Sequence, residues 1–160
     1  MIFVFTGNGK GKTTAAIGCA IRAIGNGKDV AIVQFMKNRK TGEREFFQKI
    51  GIPFYQFGRE TFVTSVMEED KEYAIAGIEK ARELTSYFLL VLDEINVACH
   101  FGLLRKEDVL NLISYAKGRE DKHVILTGRY APEEFIEVAD LVTEMKEVKH
   151  YKRAIFGIEW

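Results

Sequence analysis

The chain has 160 residues, enough for one domain with one substantial core. Lysine plus arginine (23) balances aspartate plus glutamate (23), and this zero net charge excludes a nucleic-acid binder that relies on a large basic field. With 47% hydrophobic and 29% charged residues the composition is that of an ordinary globular domain, with no room for a long disordered tail.

No apolar run approaches the roughly 18 residues of a membrane span. Two cysteines, Cys19 and Cys99, are too few for a disulfide framework or a four-thiolate zinc site. Both sit in apolar stretches and read as small buried hydrophobes of a reducing cytosol. The first residues lack the basic region and cleavage site of a signal peptide, so the expected location is cytoplasmic, with neither membrane nor nucleic acid as partner.

Short apolar runs alternate with longer helical patterns. That is the signature of one α/β domain over residues 1–160, with a mainly parallel central sheet flanked by helices. Residues 2–5 form the first strand and 6–14 a glycine-rich connection. Residues 15–24 form a helix, stopped by Gly25-Asn26-Gly27. Strands are expected over 30–35 and 54–57, with a polar, partly helical stretch over 39–49 between them. Residues 68–87 make an amphipathic helix, with Ala74, Ile75, Ile78, Ala81 and Leu84 on one face. A strand over 88–92 runs into Asp93-Glu94. A helix over 103–116, a strand over 123–126, a short helix over 132–139 begun by Pro132, and a strand over 141–145 follow. Residues 151–160 add a last extended piece.

The stretch Gly7-Asn8-Gly9-Lys10-Gly11-Lys12-Thr13-Thr14 follows a strand and opens a helix, the context a phosphate loop requires. Glycines bring backbone N–H groups close to phosphate oxygens, and the helix N-terminus adds partial positive charge. Lys12 supplies a mobile point charge, and the Thr13 hydroxyl suits Mg²⁺. The spacing is one residue shorter than the standard pattern: Gly7 and Gly11 bracket three residues, and Thr6 stands at the usual first-glycine position.

The apolar strand ending in Asp93 and Glu94 should deliver both acids to the same sheet edge as the loop, because strand C-termini share that edge in a parallel sheet. There Asp93 would hold a magnesium ion or its water, and Glu94 would be a further metal ligand or a base that activates water. Arg129, after Thr127-Gly128, should reach the same edge; bidentate phosphate binding and a surface ion pair are the two readings. Lys37 either reaches the nucleotide or substrate or is simply solvated. Phe54, Tyr55, Phe57 and Phe62 flank Gly58-Arg59 and either wall a pocket for a large flat ligand or pack into the core. The three histidines are scattered at 100, 123 and 150, outside any zinc spacing.

The phosphate loop continues into Ala15-Ala16. It is followed in order by Gln34-Phe35-x-Lys37, Gly42-Glu43, Leu92-Asp93-Glu94-Ile95, Leu126-Thr127-Gly128-Arg129-x-Ala131-Pro132, the run 139–145, Val148-Lys149-His150 and Gly157-Ile158-Glu159. This set resembles the ATP:corrinoid adenosyltransferase family of the CobA/BtuR/CobO type, from the first strand to the C-terminus. The resemblance implies a single P-loop NTPase-like (RecA-like) domain. It implies transfer of the 5′-deoxyadenosyl group of ATP to the Co(I) centre of a reduced corrinoid, release of triphosphate, Mg²⁺ or Mn²⁺ as cofactor, a homodimer and a flavoprotein reductase as partner. It also implies ATP bound in reverse, with the α-phosphate where the γ-phosphate normally lies.

On that resemblance Lys12, Glu94 and Arg129 are the catalytic set. Residues Gly7, Asn8, Gly9, Lys10, Gly11, Lys12, Thr13, Thr14, Lys37 and Phe62 bind the substrates, and Thr13, Asp93 and Glu94 are the metal set. Phe62 stands in for the Phe-x-Trp pair of enteric members. Because Co(I) is itself a strong nucleophile, catalysis reduces to positioning and to neutralising the departing triphosphate. Glu94 then acts as a metal ligand rather than a base. The competing reading is a P-loop ATPase or nucleotide-gated interaction module that releases orthophosphate. A thymidine-type kinase with a four-cysteine zinc lasso is excluded by the cysteine count.

Overall fold

In a computed structural model that describes residues 1–60, 66–151 and 153–158, the chain folds as a three-layer α/β domain. Six strands form one sheet: β1 (Ile2–Thr6), β2 (Val30–Phe35), β3 (Phe54–Phe57), β4 (Leu89–Asp93), β5 (His123–Thr127) and β6 (Leu141–Glu144). Their spatial order is β3-β2-β4-β5-β1-β6, and every pairing is parallel. The helices are α1 (Lys12–Gly25), α2 (Gly42–Lys49), α3 (Glu68–Glu83), α4 (Ile95–His100), α5 (Lys106–Ile113) and α6 (Glu133–Val138).

Central strands of such a sheet are covered on both faces, which is why they read as continuous apolar runs rather than alternating ones. Side-chain alternation splits each run between two cores. Val33, Phe35, Leu90, Leu92, Val124 and Leu126 pack with Ala74 and Ile78 of α3, Val109 of α5 and Phe135 of α6. Ile32, Leu89, Val91 and Ile125 pack on the opposite face with Ala16 and Ala20 of α1 and Phe47 of α2. The sheet order places β5 between β1, which leads into the glycine-rich loop, and β4, which ends in the acids. This inserted strand is the RecA-like arrangement.

Several boundaries differ from the sequence-based expectation. Helix α1 begins at Lys12 rather than at residue 15, because Gly11 takes the N-cap position at φ 115. Helix α3 ends at Glu83, four residues before the expected 87. The expected 103–116 helix starts at Lys106 and closes as a 3₁₀ turn over Ser114–Ala116. Strand β5 extends one residue further, to Thr127, and α4 was not foreseen at all. The final extended piece is a correction: the described residues of 151–158 contain no strand and close in a turn, with the Ile158 N–H donating to the Ile155 carbonyl at 3.1 Å. Gly157, at φ 79, turns the chain there instead of letting it run on extended.

Candidate functional site

All six strands end at one edge of the sheet, and a cleft of about 840 Å³ opens there. The loop over residues 8–14 forms one wall, and Met36, Lys37, Glu94, Arg129 and Tyr130 lie along the strand ends. Among the described residues three non-glycines hold left-handed backbone, Met36 (φ 63), Glu94 (φ 62) and Tyr130 (φ 59). Each follows the end of a strand and each lines this cleft. Strained backbone of that kind persists only where the surroundings impose it, and it concentrates at ligand sites.

The loop is held from behind. The Gly9 N–H donates to the Met145 carbonyl at 2.7 Å, and a Cβ on Gly9 would come within 2.7 Å of that same oxygen. Glycine there lets the loop lie flat on the chain leaving β6. Lys12 is 8% exposed, and its ammonium donates to the Gly7 and Gly9 carbonyls at 2.8 and 2.7 Å. Burial pushes its pKa below the ordinary lysine value, against the raising effect of Glu94.

Asp93, 1% exposed, lies just beneath the cleft. Its Oδ1 accepts from the Thr13 hydroxyl at 2.8 Å and from the Thr127 hydroxyl at 2.6 Å. Its Oδ2 accepts from the Gln34 amide at 3.0 Å, with the Lys37 ammonium 3.6 Å away. The expected meeting of acid strand and phosphate loop is therefore present as a direct contact between Thr13 and Asp93.

Glu94 lines the cleft itself. Its backbone N–H donates to the Thr127 hydroxyl at 3.0 Å. Burial, and then the neighbouring Asp93 charge, push its carboxyl up to about 7, while Lys37, Lys12 and Arg129 pull it down. All three cations line the same cleft as Glu94.

Lys37 bridges Asp93 and Glu43 rather than standing in solvent. Arg129 has no hydrogen-bond or ion-pair partner among the described residues, so the surface ion pair is replaced by a guanidinium lining the cleft. Lys10 reaches the Tyr151 hydroxyl at 2.8 Å, on the rim. Asn8, Gly11 and Thr14 also line the cleft. Gly7 faces the Met145 backbone and the Glu144 side chain instead. Phe62 lies outside the described residues. Of the other expected aromatics, Phe54 is in the core and Phe57 packs against it. Tyr55 faces out, under the Lys80 ammonium at 5.3 Å.

Sequence reasoning missed several members of the site. Thr127 at the end of β5 joins Asp93 to the Glu94 backbone. Gln34, fully buried in β2, donates to both Asp93 and Glu43 and accepts from Gln56 at 2.8 Å. A glutamine inside an otherwise apolar strand is the signal that could have found it, since buried polar groups need partners. A second omission is a row of rings, Phe101, His100 and Tyr130, brought together by α4 and the 128–130 turn.

The described residues hold no cluster of three or more His, Cys, Asp or Glu side chains fit for a metal. The Thr13 hydroxyl with the Asp93 and Glu94 carboxylates is nonetheless an all-oxygen set next to a phosphate loop. It fits Mg²⁺, which takes one or two carboxylates and completes its shell with water and phosphate oxygens.

Comparison with known proteins agrees with this arrangement. A family model described as ATP:corrinoid adenosyltransferase BtuR/CobO/CobP matches residues 1–160. A corrinoid adenosyltransferase of Sinorhizobium sp is 42% identical over 159 residues, covering 94% of this chain and 73% of that protein. The corrinoid adenosyltransferase CobA of Salmonella typhimurium is 37% identical over 155 residues, covering 94% and 78%. One from Pseudomonas aeruginosa is 38% identical over 161 residues, covering 96% and 78%.

Proposed function

The chain belongs to the ATP:corrinoid adenosyltransferase family of the BtuR/CobO/CobP type, and from that premise we propose that it moves the 5′-deoxyadenosyl group of ATP onto the Co(I) centre of a reduced corrinoid, releasing triphosphate. The observation that carries this reading is a single cleft lined by Lys12, Lys37, Arg129 and Glu94, with Thr13 hydrogen-bonded to Asp93 beneath it. A reaction whose nucleophile arrives with its own electron pair needs no protein base. It needs the C5′ carbon held in line and the negative charge of the leaving triphosphate neutralised.

In this reading Lys12 exchanges its two loop carbonyls for phosphate oxygens, and Arg129 contributes a planar fork to the same chain of phosphates. Thr13, Asp93 and Glu94 would hold Mg²⁺ or Mn²⁺, which supplies Lewis-acid stabilisation of the phosphate charge when bound. ATP lies with C5′ turned toward the reacting end, so that the shortened loop cradles the α-phosphate side. The homodimer is supported by the apolar surface left open on β6 (Leu141 43%, Val142 41%) and at Val148 (91%) and Phe156 (83%). A flavoprotein reductase is the expected electron source. No helix among the described residues is long and apolar enough to cross a membrane.

One observation favours the hydrolytic alternative: Glu94, pushed up to about 7, has the proton affinity of a general base. Product analysis separates the two. Protein, Mg-ATP and chemically reduced cobalamin should together give the light-sensitive alkylcobalt spectrum and a stoichiometric amount of triphosphate. ADP and orthophosphate with no cobalt–carbon bond would overturn the transferase reading.

A further inference from the structure

We propose that Tyr130, backed by His100 and continued by Phe101, is the ledge on which the flat macrocycle of the corrinoid rests. This rests on the adenosyltransferase reading and assigns residues to its larger substrate. The Tyr130 and His100 rings are stacked, with centroids 4.2 Å apart at 26°, and the His100 and Phe101 rings meet edge to face at 5.3 Å and 65°. Tyr130 is 49% and Phe101 48% exposed, and both line the cleft that holds the phosphate loop. Large rings in such a position contribute little to the core. They offer apolar surface that loses its water only when a ligand covers it.

The backbone is organised to hold Tyr130 there. Its φ of 59 is a conformation that glycine or asparagine adopts more readily than a bulky ring. The turn is pinned on both sides. The Gly128 N–H donates to the Phe5 carbonyl at 3.2 Å, and the Gly128 carbonyl accepts from the Asn96 amide at 3.1 Å. The Ala131 N–H donates to the Thr6 hydroxyl at 3.3 Å. These bonds tie the turn to the strand that leads into the phosphate loop and to the helix that follows Glu94. Arg129 and Tyr130 are thus presented together, one cationic and one flat.

The extent of the surface favours a macrocycle over the adenine ring of ATP. Beyond Tyr130 the ledge continues into a second cavity of about 400 Å³, lined by His100, Lys106, Glu133 and Glu134. Tyr130 lines both cavities. A purine would cover one ring and leave the second cavity unused. A corrin is flat and apolar at its centre and carries amide or carboxylate side chains on its edge. Its ring fits the ledge, and its polar edge fits the cavity behind.

The test uses the full chain and three variants. Tyr130→Asn removes the ring but keeps a residue that tolerates left-handed backbone, so Arg129 stays in place. Tyr130→Phe keeps the ring, and His100→Ala removes its backing. With ATP loaded, binding of non-reacting cob(II)alamin is followed by its electron paramagnetic resonance spectrum. ATP affinity is measured by calorimetry, and turnover with cob(I)alamin gives KM and kcat. Tyr130→Asn should weaken corrinoid binding and raise the corrinoid KM about tenfold, with ATP affinity held within about twofold. Tyr130→Phe should restore most of the loss, and His100→Ala should show a smaller loss of the same kind. An ATP affinity that falls with corrinoid affinity would assign the ledge to adenine and overturn the proposal. So would unchanged corrinoid binding in Tyr130→Asn. A wild-type protein that forms no cobalt–carbon bond overturns the functional reading itself, which separates the two failures.

Discussion

Asp93 is 1% exposed and accepts hydrogen bonds from Thr13, Thr127 and Gln34, whereas Tyr130, on the rim of the same cleft, is 49% exposed and rests on one stacked ring. The difference follows from the two kinds of interaction. Charge stabilisation is strong only if donors and acceptors are fixed in a dry site before the reaction, so that nothing reorganises during it. Apolar recognition gains its free energy from water released when the ligand arrives, so its surface must be wet beforehand. The Asp93 end of the cleft is therefore built as core, and the aromatic end as surface.

The largest expected effect tests the proposed phosphate-binding role of the Asp93 end. Lys12→Met should lower kcat by about 10² to 10³, the usual cost of removing one preorganised electrostatic partner. Steady-state adenosylation assays at saturating ATP read this directly. A rise in KM with kcat unchanged would mean that Lys12 contributes only uniform binding.

Next is Thr127→Val, which leaves the Glu94 N–H and an Asp93 oxygen each short of a partner. It should cost about 1–3 kcal/mol of stability, read by urea unfolding of the apo protein, and Thr127→Ser should recover most of it. A neutral Thr127→Val would mean that the Asp93 end is not built as core.

Glu94 sharpens the comparison through pH. Its carboxyl titrates near 7 in the folded apo protein against an ordinary 4.5. Between those values the native state holds more protons than the unfolded one, so stability falls as pH rises from about 4.5 to 7 and stays reduced above that. Glu94→Gln should therefore stabilise the apo protein at pH 8, by roughly 1–3 kcal/mol, and have no such effect near pH 4. Equal effects at both pH values would count against the buried-charge account.

The smallest effect belongs to the aromatic end. Phe101→Ala removes a half-exposed ring and should change the unfolding free energy by no more than about 1 kcal/mol. A large loss in the same denaturation assay would make the ring part of the core rather than of a ledge.

Much was legible without coordinates. The run Gly7 to Thr14, the apolar strand before Asp93-Glu94 and the alternation of strands and helices are local patterns, and a local pattern is carried by neighbouring residues. So the sheet class, the glycine-rich loop between β1 and α1 and the acids at the end of β4 followed from sequence alone. The order of strands did not. Placing β5 between the loop strand and the acid strand is what brings Thr127 to Asp93, 34 residues away, and it fixes the contact of Thr13 with Asp93, 80 residues away.

Gln34 and Asp93, separated by 59 residues, show the same limit, and so does the stacking of His100 on Tyr130. No spacing rule links such pairs, because their proximity depends on which strands neighbour each other and on how each turn is pinned. Sequence by itself determined which chemical groups the edge of the sheet would carry. Only the tertiary structure decided which of them meet, which are buried into a rigid charge site, and which are left at the surface for a ligand to cover.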